Sequence, residues 1–423
     1  MREMKDSGYL WVGTIPTTWE MRKGKYLLVQ RSTKGNTIAL QLLSPTQRFG
    51  VIPQEMYEEL TGMNAVKLNE NVDLSLMKTI HQGDFCISLR SFQGGFEYSE
   101  YEGVVSPAYQ VFYPIVSIAD GYYKYLFKDI GFIEKMNSYT MTLRDGKNIA
   151  FADFGNTYIP YPPLSEQKRI ADFLDGKCAE IDALVADIQS QIDTLEQYKR
   201  SVITETVTKG LNPDAQMKDS GIEWVGMIPA HWPVHPVYTY FGERKNKNRF
   251  GTEDNLLSLS YGRVIRKDIN TSDGLLPESF NTYNIVEAGD IIIRPTDLQN
   301  DKRSLRTGLV KEHGIITSAY IDLCPIKRVD SRYFHFLLHA YDVMKVFYNM
   351  GNGVRQGLNY SEFAKLMVIE PQYEEQIAIA DFLDTKVAEV DSIIDQKKEQ
   401  LTVLENYKKS LIYEYVTGKK EVQ

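Results

Sequence analysis

The sequence predicts an α+β protein in which two mixed α/β domains are joined by two long helices that form an antiparallel coiled coil. Three observations predict this pseudo-twofold tandem duplication. A short box of residues occurs twice, a heptad-patterned segment closes each half of the chain, and the segments between box and heptads differ in sequence. A repeat of this length corresponds to a domain rather than to one turn of a solenoid.

The duplicated box reads "KDSGYLWVGTIP" from Lys5 and "KDSGIEWVGMIP" from Lys218. The four tryptophans of the chain belong to or follow these boxes, as Trp11, Trp19, Trp224 and Trp232. We expect them to pack each box against the helical frame, so that the same contact with a partner protein is built twice. Plain core packing without a partner role is the alternative, because tryptophan is largely buried in most proteins.

The closing segments read "PPLSEQKRIADFLDGKCAEID" from Pro162 and "PQYEEQIAIADFLDTKVAEVD" from Pro371. Apolar residues then recur at alternating spacings of four and three, which is typical of a coiled-coil seam. These positions include Leu174, Cys178, Ile181, Val185, Ile188, Ile192 and Leu195 in the first half, and Leu383, Val387, Val390, Ile394, Leu401 and Leu404 in the second. Gly210 and Gly418 are expected to end helices of about 40 residues, or roughly 60 Å. Packing of each stripe on its own domain is the alternative.

The segments between box and helix, here called insert 1 and insert 2, share only landmarks. One is a Gly-Asp turn before a β-branched run, in "QGDFCISLR" from Gln82 and "AGDIIIRPT" from Ala288; another pairs "SPAYQVF" from Ser106 with "TSAYIDL" from Thr317. The predicted domains are the box at 1–19, insert 1 at 20–163, the first long helix and linker at 164–217, the repeated box at 218–232, insert 2 at 233–370, and the second helix and tail at 371–423. Divergent inserts on a repeated frame suggest one task performed on two different targets.

The net charge of −8 argues against a surface built for nonspecific nucleic-acid binding. Residues 164–217 contain 6 basic and 10 acidic side chains and residues 371–423 contain 7 and 11, so the helical regions carry the whole excess. The inserts are nearly neutral, with basic clusters such as "RKNKNR" at Arg244, "RVIRK" at Arg263 and "DKRSLR" at Asp301. Such clusters are often only solvated loops, but the Asn, Gln and Arg among them suit base edges.

Composition also excludes several classes of protein. The three cysteines, Cys86, Cys178 and Cys324, are far apart and lack a CxxC or Cys/His cluster, so neither a disulfide framework nor a metal site is expected. No leader-like segment follows Met1 and no apolar run is long enough to cross a bilayer. We therefore expect a soluble, cytoplasmic protein.

The twin boxes and the twin helix starts, which both continue as "IADFLD", resemble the specificity subunit of type I restriction-modification systems over essentially the whole chain. The resemblance implies that each insert is a target recognition domain reading one half of a bipartite site in double-stranded DNA. It also implies that the helices set the spacing, that two methyltransferase (modification) subunits dock on the helical frame, and that restriction subunits join through the complex. No cofactor is implied for this chain, whereas the partner methyltransferase is expected to use S-adenosylmethionine. Gln372 stands where the family pattern has a second proline, which we expect to alter that helix start slightly.

Candidate DNA-contact residues lie in two places in each insert: the polar loop after the Gly-Asp strand, and a Gly-rich loop before the final strand. Glycine lets the backbone approach phosphate, and Arg or Gln can reach base edges. The candidates in insert 1 are Arg90, Ser91, Gln93, Thr142, Arg144 and Lys147. Those in insert 2, with its basic clusters, are Arg244, Lys245, Lys247, Arg263, Arg294, Thr296, Gln299, Asn300, Arg303, Asn352, Arg355 and Gln356. Ordinary turn chemistry is the alternative for each.

Two rival functions come from other classes. A self-contained DNA methyltransferase would need a catalytic motif of Asp, Asn or Ser followed by Pro-Pro and an aromatic residue, with a Gly-rich loop for the cofactor. The segment "YPPL" at Tyr161 fails at both ends of that motif, so no catalytic residue is predicted. A purely structural coiled-coil adaptor would not explain why the inserts diverge while the frame persists.

Overall fold

The computed structural model describes residues 2–34, 40–63, 76–88, 94–139, 151–270, 279–296, 298, 305–350 and 357–422. The chain divides into two compact units. Unit 1 combines Met1–Ile188 with Glu399–Gln423, and unit 2 is Gln189–Lys398. Each long helix therefore begins in one unit and ends in the other. The finer domain boundaries given above stay predictions.

In its described residues, unit 1 consists of short antiparallel strands and four short helices. Its strands are β1 (Met4–Asp6), β2 (Thr14–Pro16), β3 (Glu20–Lys23), β4 (Leu28–Gln30), β5 (Leu43–Thr46), β6 (Gly50–Pro53), β7 (Lys78–Ile80), β8 (Phe85–Ser88), β9 (Glu97–Tyr98), β10 (Gly103–Val105), β11 (Tyr109–Pro114) and β12 (Tyr158–Tyr161). Its short helices are α1 (Gln54–Thr61), α2 (Asp120–Leu126), α3 (Ile130–Ser138) and α4 (Phe151–Asn156). A four-stranded sheet has the order β4-β11-β8-β9, and the two-stranded pairs are β1-β2, β3-β12, β5-β6 and β7-β10.

Unit 2 repeats that topology strand for strand. Its strands are β13 (Met217–Asp219), β14 (Met227–Pro229), β15 (Val234–Pro236), β16 (Phe241–Glu243), β17 (Leu257–Ser260), β18 (Arg263–Arg266), β19 (Asn284–Val286), β20 (Ile291–Ile293), β21 (Thr307–Leu309), β22 (Gly314–Ile316), β23 (Ile321–Pro325) and β24 (Met367–Ile369). Its short helices are α6 (Ser331–Val343) and α7 (Tyr360–Phe363). The four-stranded sheet has the order β16-β23-β20-β21, and the pairs are β13-β14, β15-β24, β17-β18 and β19-β22. The inserts thus share one fold in spite of their different sequences.

Each insert is closed by a pair of strands at its own ends. In insert 1, Glu20 of β3 is the partner of Tyr161 of β12, and in insert 2, Val234 of β15 is the partner of Ile369 of β24. The chain therefore enters and leaves each insert at neighbouring positions. Tyr123 and Tyr333 lie fully buried in the cores behind these sheets, where aromatic rings supply much of the buried area.

The long helices are α5 (Leu164–Lys209, 46 residues) and α8 (Tyr373–Val416, 44 residues). Gly210 and Gly418 follow them with φ of +74° and +72°, a left-handed conformation that glycine adopts without steric cost. The carbonyls of Pro163 and Gln372 each accept the first two backbone N–H bonds, so Gln372 serves the second helix start as Pro163 serves the first.

The antiparallel pairing of the two helices is confirmed within each unit. In unit 1, the ring centroids of Phe173 and Tyr415 lie 4.4 Å apart, and Lys408 Nζ lies 2.6 Å from Asp182 Oδ1. In unit 2, Lys199 Nζ lies 2.7 Å from Asp391 Oδ1. Along α5 the residue numbers rise while those of the partners on α8 fall, which defines the antiparallel direction. Of the seam positions, Leu174, Cys178, Ile181, Ile192, Leu383, Val390 and Ile394 are buried, and Val185, Ile188, Leu195, Val387, Leu401 and Leu404 are partly buried.

Candidate nucleic-acid interface

The Gly-Asp turn of each insert anchors a strand of the four-stranded sheet. In unit 2, Asp290 accepts a hydrogen bond from the backbone N–H of Glu287 at 2.8 Å, and from Arg244 Nε and Nη2 at 2.7 and 3.0 Å. In unit 1, Asp84 accepts from the N–H of His81 at 2.9 Å, and from Arg31 Nε and Nη2 at 2.8 and 2.9 Å. Both aspartates are almost fully buried, so each needs its arginine to offset the loss of water.

From this anchor, strands β8 and β20 lead directly into the candidate DNA-contact segments. Strand β20 is three buried isoleucines, and Arg294 comes next. Twelve of the candidate residues lie outside the part of the chain that the structure describes: Arg90, Ser91, Gln93, Thr142, Arg144, Lys147, Gln299, Asn300, Arg303, Asn352, Arg355 and Gln356. Their roles stay predictions.

The structure brings the edges of the two candidate loops of insert 2 together. The Arg294 N–H donates to the Arg306 carbonyl at 2.8 Å, and the Leu358 N–H donates to the Pro295 carbonyl at 3.0 Å. Pro295 lies at the start of the first loop, and Leu358 lies directly after the second. Residues that are far apart in sequence therefore meet just after the end of strand β20, as a common binding surface requires.

Arg306 is a buried arginine whose role the sequence did not reveal. Its guanidinium donates through Nη1 to the carbonyl of Thr296, and its backbone N–H donates to Asp342 of helix α6. The side chain is fully buried, although Arg306 is the last residue of the basic cluster "DKRSLR". It fixes the backbone from which Arg294 and Thr296 project. Nothing in the sequence distinguishes it from the other basic residues of that cluster.

The basic residues of the other clusters are mostly held by the protein itself. Arg244 is the partner of buried Asp290, Lys245 Nζ lies 2.8 Å from Glu243, and Lys247 Nζ donates to the Thr282 carbonyl at 3.0 Å. Burial lowers the pKa of Lys247, and the neighbouring charge of Lys245 adds to this effect. Arg263 Nη2 lies 2.6 Å from Asp391 Oδ2 of helix α8, although most of its side chain is exposed.

The tryptophans divide into two roles. The indole N–H groups of Trp19 and Trp232 each donate at 2.9 Å to a glutamate in the first turn of a long helix, Glu166 and Glu375. Both tryptophans therefore pack their boxes on the helical frame. Trp11 and Trp224 instead make edge contacts with aromatic residues of the inserts, Phe132 at 5.8 Å and Tyr341 at 6.0 Å.

A glutamine one residue further along each helix joins the frame to its insert. Gln167 accepts from the backbone N–H of Ala119 at 2.9 Å and donates to the Pro162 carbonyl at 2.8 Å. Gln376 accepts from the Asp330 N–H at 2.9 Å and donates to the Pro371 carbonyl at 2.9 Å. The repeated "EQ" of the helix starts thus encodes two joints, one to the box and one to the insert.

The described residues contain no group of three or more His, Cys, Asp or Glu side chains arranged to hold a metal ion. Within the same part of the chain, no helix combines the length and apolar character needed to span a membrane.

The repeated α/β insert on paired long helices defines a class of fold, the two-domain α+β proteins built on two long helices. A family model described as "Type I restriction modification DNA specificity domain" matches residues 61–194 of the chain. A solved structure reported for complex assembly and conformational transition of the type I R-M system matches with a TM-score of 0.70, over 96% of this chain and 99% of that chain, at 13% identity. The HsdS subunit from Thermoanaerobacter tengcongensis matches with a TM-score of 0.50, over 96% and 98%, also at 13% identity. The fold is therefore shared.

The sequence relatives point to one family. Proteins named as the MjaX and MjaVIII specificity subunits of type I restriction enzymes, both from Methanocaldococcus jannaschii, are 26% and 25% identical over 277 and 292 residues. The alignments cover 63% and 64% of this chain, and the chain spans 60% and 64% of the length of these relatives. Together these findings confirm the resemblance: the chain is a relative of the specificity subunits of type I restriction-modification systems.

Proposed function

We propose that the chain is the sequence-specific DNA-recognition subunit of a type I restriction-modification complex. Each insert reads one half of a bipartite site in double-stranded DNA, and the two long helices set the spacing between the halves. The observation that carries this proposal is the repeated Arg–Asp anchor, which in both inserts holds a strand leading into a polar segment of different sequence. A scaffold that is common to both inserts, with a polar segment that differs between them, is what two readers of different sequences require.

The side chains at that edge have the chemistry for reading bases. Arg pairs with guanine through two hydrogen bonds, and Asn or Gln pairs in the same way with adenine. In insert 2 the edge is built from Arg294 and Thr296, and the joint between Pro295 and Leu358 supports a surface formed by both loops. The internal pairing of Arg244, by contrast, favours a structural role for that side chain.

The charge of the two helical regions indicates what kind of partner they bind. The helical regions carry the acidic excess of the chain, which makes them poor surfaces for DNA and suitable ones for a protein. We propose that modification subunits dock there, bring S-adenosylmethionine as their own cofactor, and link the complex to restriction subunits. In this proposal the chain itself binds DNA and catalyses no reaction.

The full-length chain, alone and assembled with its modification subunits, tests the proposal by selection from duplexes with a randomised central region. Sequencing of the bound fraction should give two short conserved half-sites separated by an unconserved spacer. Recovery of a single continuous site, or of no preferred sequence, contradicts the two-reader proposal. A parallel assay with radiolabelled S-adenosylmethionine tests the rival, because methyl transfer to DNA by the chain alone would make it a methyltransferase.

A further inference from the structure

Strands β17 and β18 form a hairpin with a two-residue turn, Tyr261–Gly262, between the paired residues Ser260 and Arg263. Both turn residues have positive φ, +47° and +78°. This is the pattern of a type I′ turn, whose preferred residues are Asn or Gly followed by Gly, because those residues enter the left-handed region easily. Tyr261 is therefore an unusual choice for its position.

Tyr261 also contributes nothing to the core. Its side chain is 89% exposed, so the ring stays in water at the tip of the hairpin. A bulky residue in the left-handed region carries a steric cost, and residues held in this way are concentrated at binding sites. An asparagine would serve the turn better, so neither the turn nor the core accounts for the ring.

The hairpin tip packs on Leu305, which comes two residues after Arg303, the last candidate of the first loop of insert 2. A Cβ placed on Gly262 would lie 3.0 Å from Leu305 Cδ1. A Cβ placed on Gly308 of β21 would lie 2.5 Å from Leu259 Cδ1, so the hairpin also packs closely on β21. Arg263, the residue directly after the turn, forms an ion pair with Asp391 of helix α8. The tip is fixed in place while the tyrosine projects from it.

Insert 1 contains a corresponding hairpin, whose turn has three residues instead of two and whose Phe49 is partly buried. Hairpin β5–β6 is joined to β10 by a bridge between Leu42 and Val104, as β17–β18 is joined to β22 by a bridge between Leu256 and Ile315. Its tip carries Arg48 and Phe49, with the Arg48 guanidinium 5.1 Å from the centre of the Phe49 ring. A Cβ placed on Gly94, directly after the candidate segment at 89–93, would lie 2.9 Å from Gln47 Cγ at this tip.

We propose that Tyr261 is a DNA-contact residue whose ring stacks on a base, or enters a base step, at the edge of the half-site read by insert 2. Phe49 is its counterpart in insert 1. Aromatic side chains stack on any base, and apolar wedges that enter a base step kink the duplex. Tyr261 thus adds a contact that tolerates sequence changes to the base-edge contacts of the neighbouring loops. This inference rests on the proposed function.

The test compares variants of the full-length chain on the duplex recovered by the selection described above. Tyr261→Asn removes the ring and gives the turn its preferred residue. We expect it to bind about 5- to 150-fold more weakly, as removal of one stacking aromatic does, while its Tm is unchanged or higher. Tyr261→Phe should bind as the wild type does. Tyr238→Asn is the matched control, because Tyr238 is an exposed tyrosine of the same unit on the turn between β15 and β16, and it should also bind normally.

A 2-aminopurine placed at successive positions of the same duplex locates the contact. Fluorescence should rise at one step with the wild type and with Tyr261→Phe, and stay flat with Tyr261→Asn. If the wild type binds its duplex and Tyr261→Asn binds it with equal affinity, this inference is wrong while the proposed function remains intact. If the wild type selects no duplex, the proposed function itself has failed.

Discussion

Arg31 and Arg244 have the same structural role in the two inserts. Both lie outside the loops that they support, and both form a two-point pair with an almost fully buried aspartate, Asp84 and Asp290. Removing one partner of such a pair leaves a buried charge alone, which costs about 3–5 kcal/mol. Selection for scaffold stability therefore explains Arg244 better than base reading does.

Asp322 occupies a position that insert 1 fills with a core residue. On β23 it pairs with Ile292, as Val111 on β11 pairs with Cys86. Val111 is fully buried and Asp322 is 1% exposed. Among the described residues neither carboxyl oxygen of Asp322 accepts a hydrogen bond, and Arg244 Nε lies 4.0 Å away, already paired with Asp290. Burial, reinforced by the charge of Asp290, raises the pKa of Asp322 to about 8.

We predict that Asp322→Val stabilises the protein, and that the gain grows with pH. In the unfolded chain Asp322 loses its proton near its ordinary pKa of 3.8, whereas in the folded chain it keeps the proton up to about pH 8. Because the folded state holds more protons in this window, rising pH favours unfolding, by up to about 1.4 kcal/mol for each pH unit. Above the folded pKa the effect levels off.

Urea denaturation at pH 5, 7 and 9 measures this effect as the difference in unfolding free energy between Asp322→Val and the wild type. Asp290→Asn is the informative control, because it removes the negative charge that pairs with Arg244 and leaves one acceptor oxygen where the carboxylate has two, and it should destabilise the protein. A gain from Asp322→Val that is equal at all three pH values would show that the carboxyl group is ionised in the folded protein.

At the scale of elements, the long helices are the part of the fold that the sequence predicts best. A heptad pattern is local and repeats many times, so errors at single positions do not obscure it. The starting prolines and terminating glycines also act locally, and Gly210 and Gly418 end the helices as expected. The helices are longer than predicted, at 46 and 44 residues.

The common topology of the inserts could not be predicted in the same way. Most of their strands contain three or four residues, too few for an alternating pattern to appear. Pairings such as β4 with β11 join residues that are distant in the chain and share no local signal. The burial of Arg306 and the exposure of Tyr261 depend on those pairings, which is why composition alone placed the first in a basic cluster and did not select the second.

The same substitution at two adjacent isoleucines of α8 tests the pairing of the two long helices. Ile394 is 2% exposed and Ile393 is 42% exposed, so the same substitution at the two positions separates burial from helix propensity. Ile394→Asp places a carboxylate in the seam and should cost about 3–5 kcal/mol, because a buried charge without a partner is strongly unfavourable. Ile393→Asp should cost less than about 1 kcal/mol. Thermal unfolding and gel filtration of both variants measure the difference, and equal losses would mean that Ile394 is not held in a seam.

At the scale of the whole molecule, the adjacent ends of each insert predict that it can be exchanged as a module. Insert 2 begins on β15 and ends on β24, and its first residues pair with its last. Replacement of residues 233–370 by the corresponding insert of a relative with the same frame should therefore preserve the joints made by Trp232 and Gln376. Selection on random duplexes should then give one new half-site and one unchanged half-site. A change in both would mean that the two inserts do not read independently.

Shortening both long helices together tests whether they set the spacing between the two half-sites. In unit 1, Asp182 of α5 is paired with Lys408 of α8, so the deletion of residues 182–188 has its antiparallel complement in residues 402–408. Removing both heptads keeps the seam in register and shortens each helix by about 10 Å, at roughly 1.5 Å per residue. We expect both half-site sequences to persist while the preferred spacer between them shortens, as read from the same selection. Deletion of residues 182–188 alone is the control: it leaves seven residues of α8 unmatched, and because register is lost it should lower the Tm. If the double deletion folds and keeps the original spacer, the helices join the two readers without setting the distance between them.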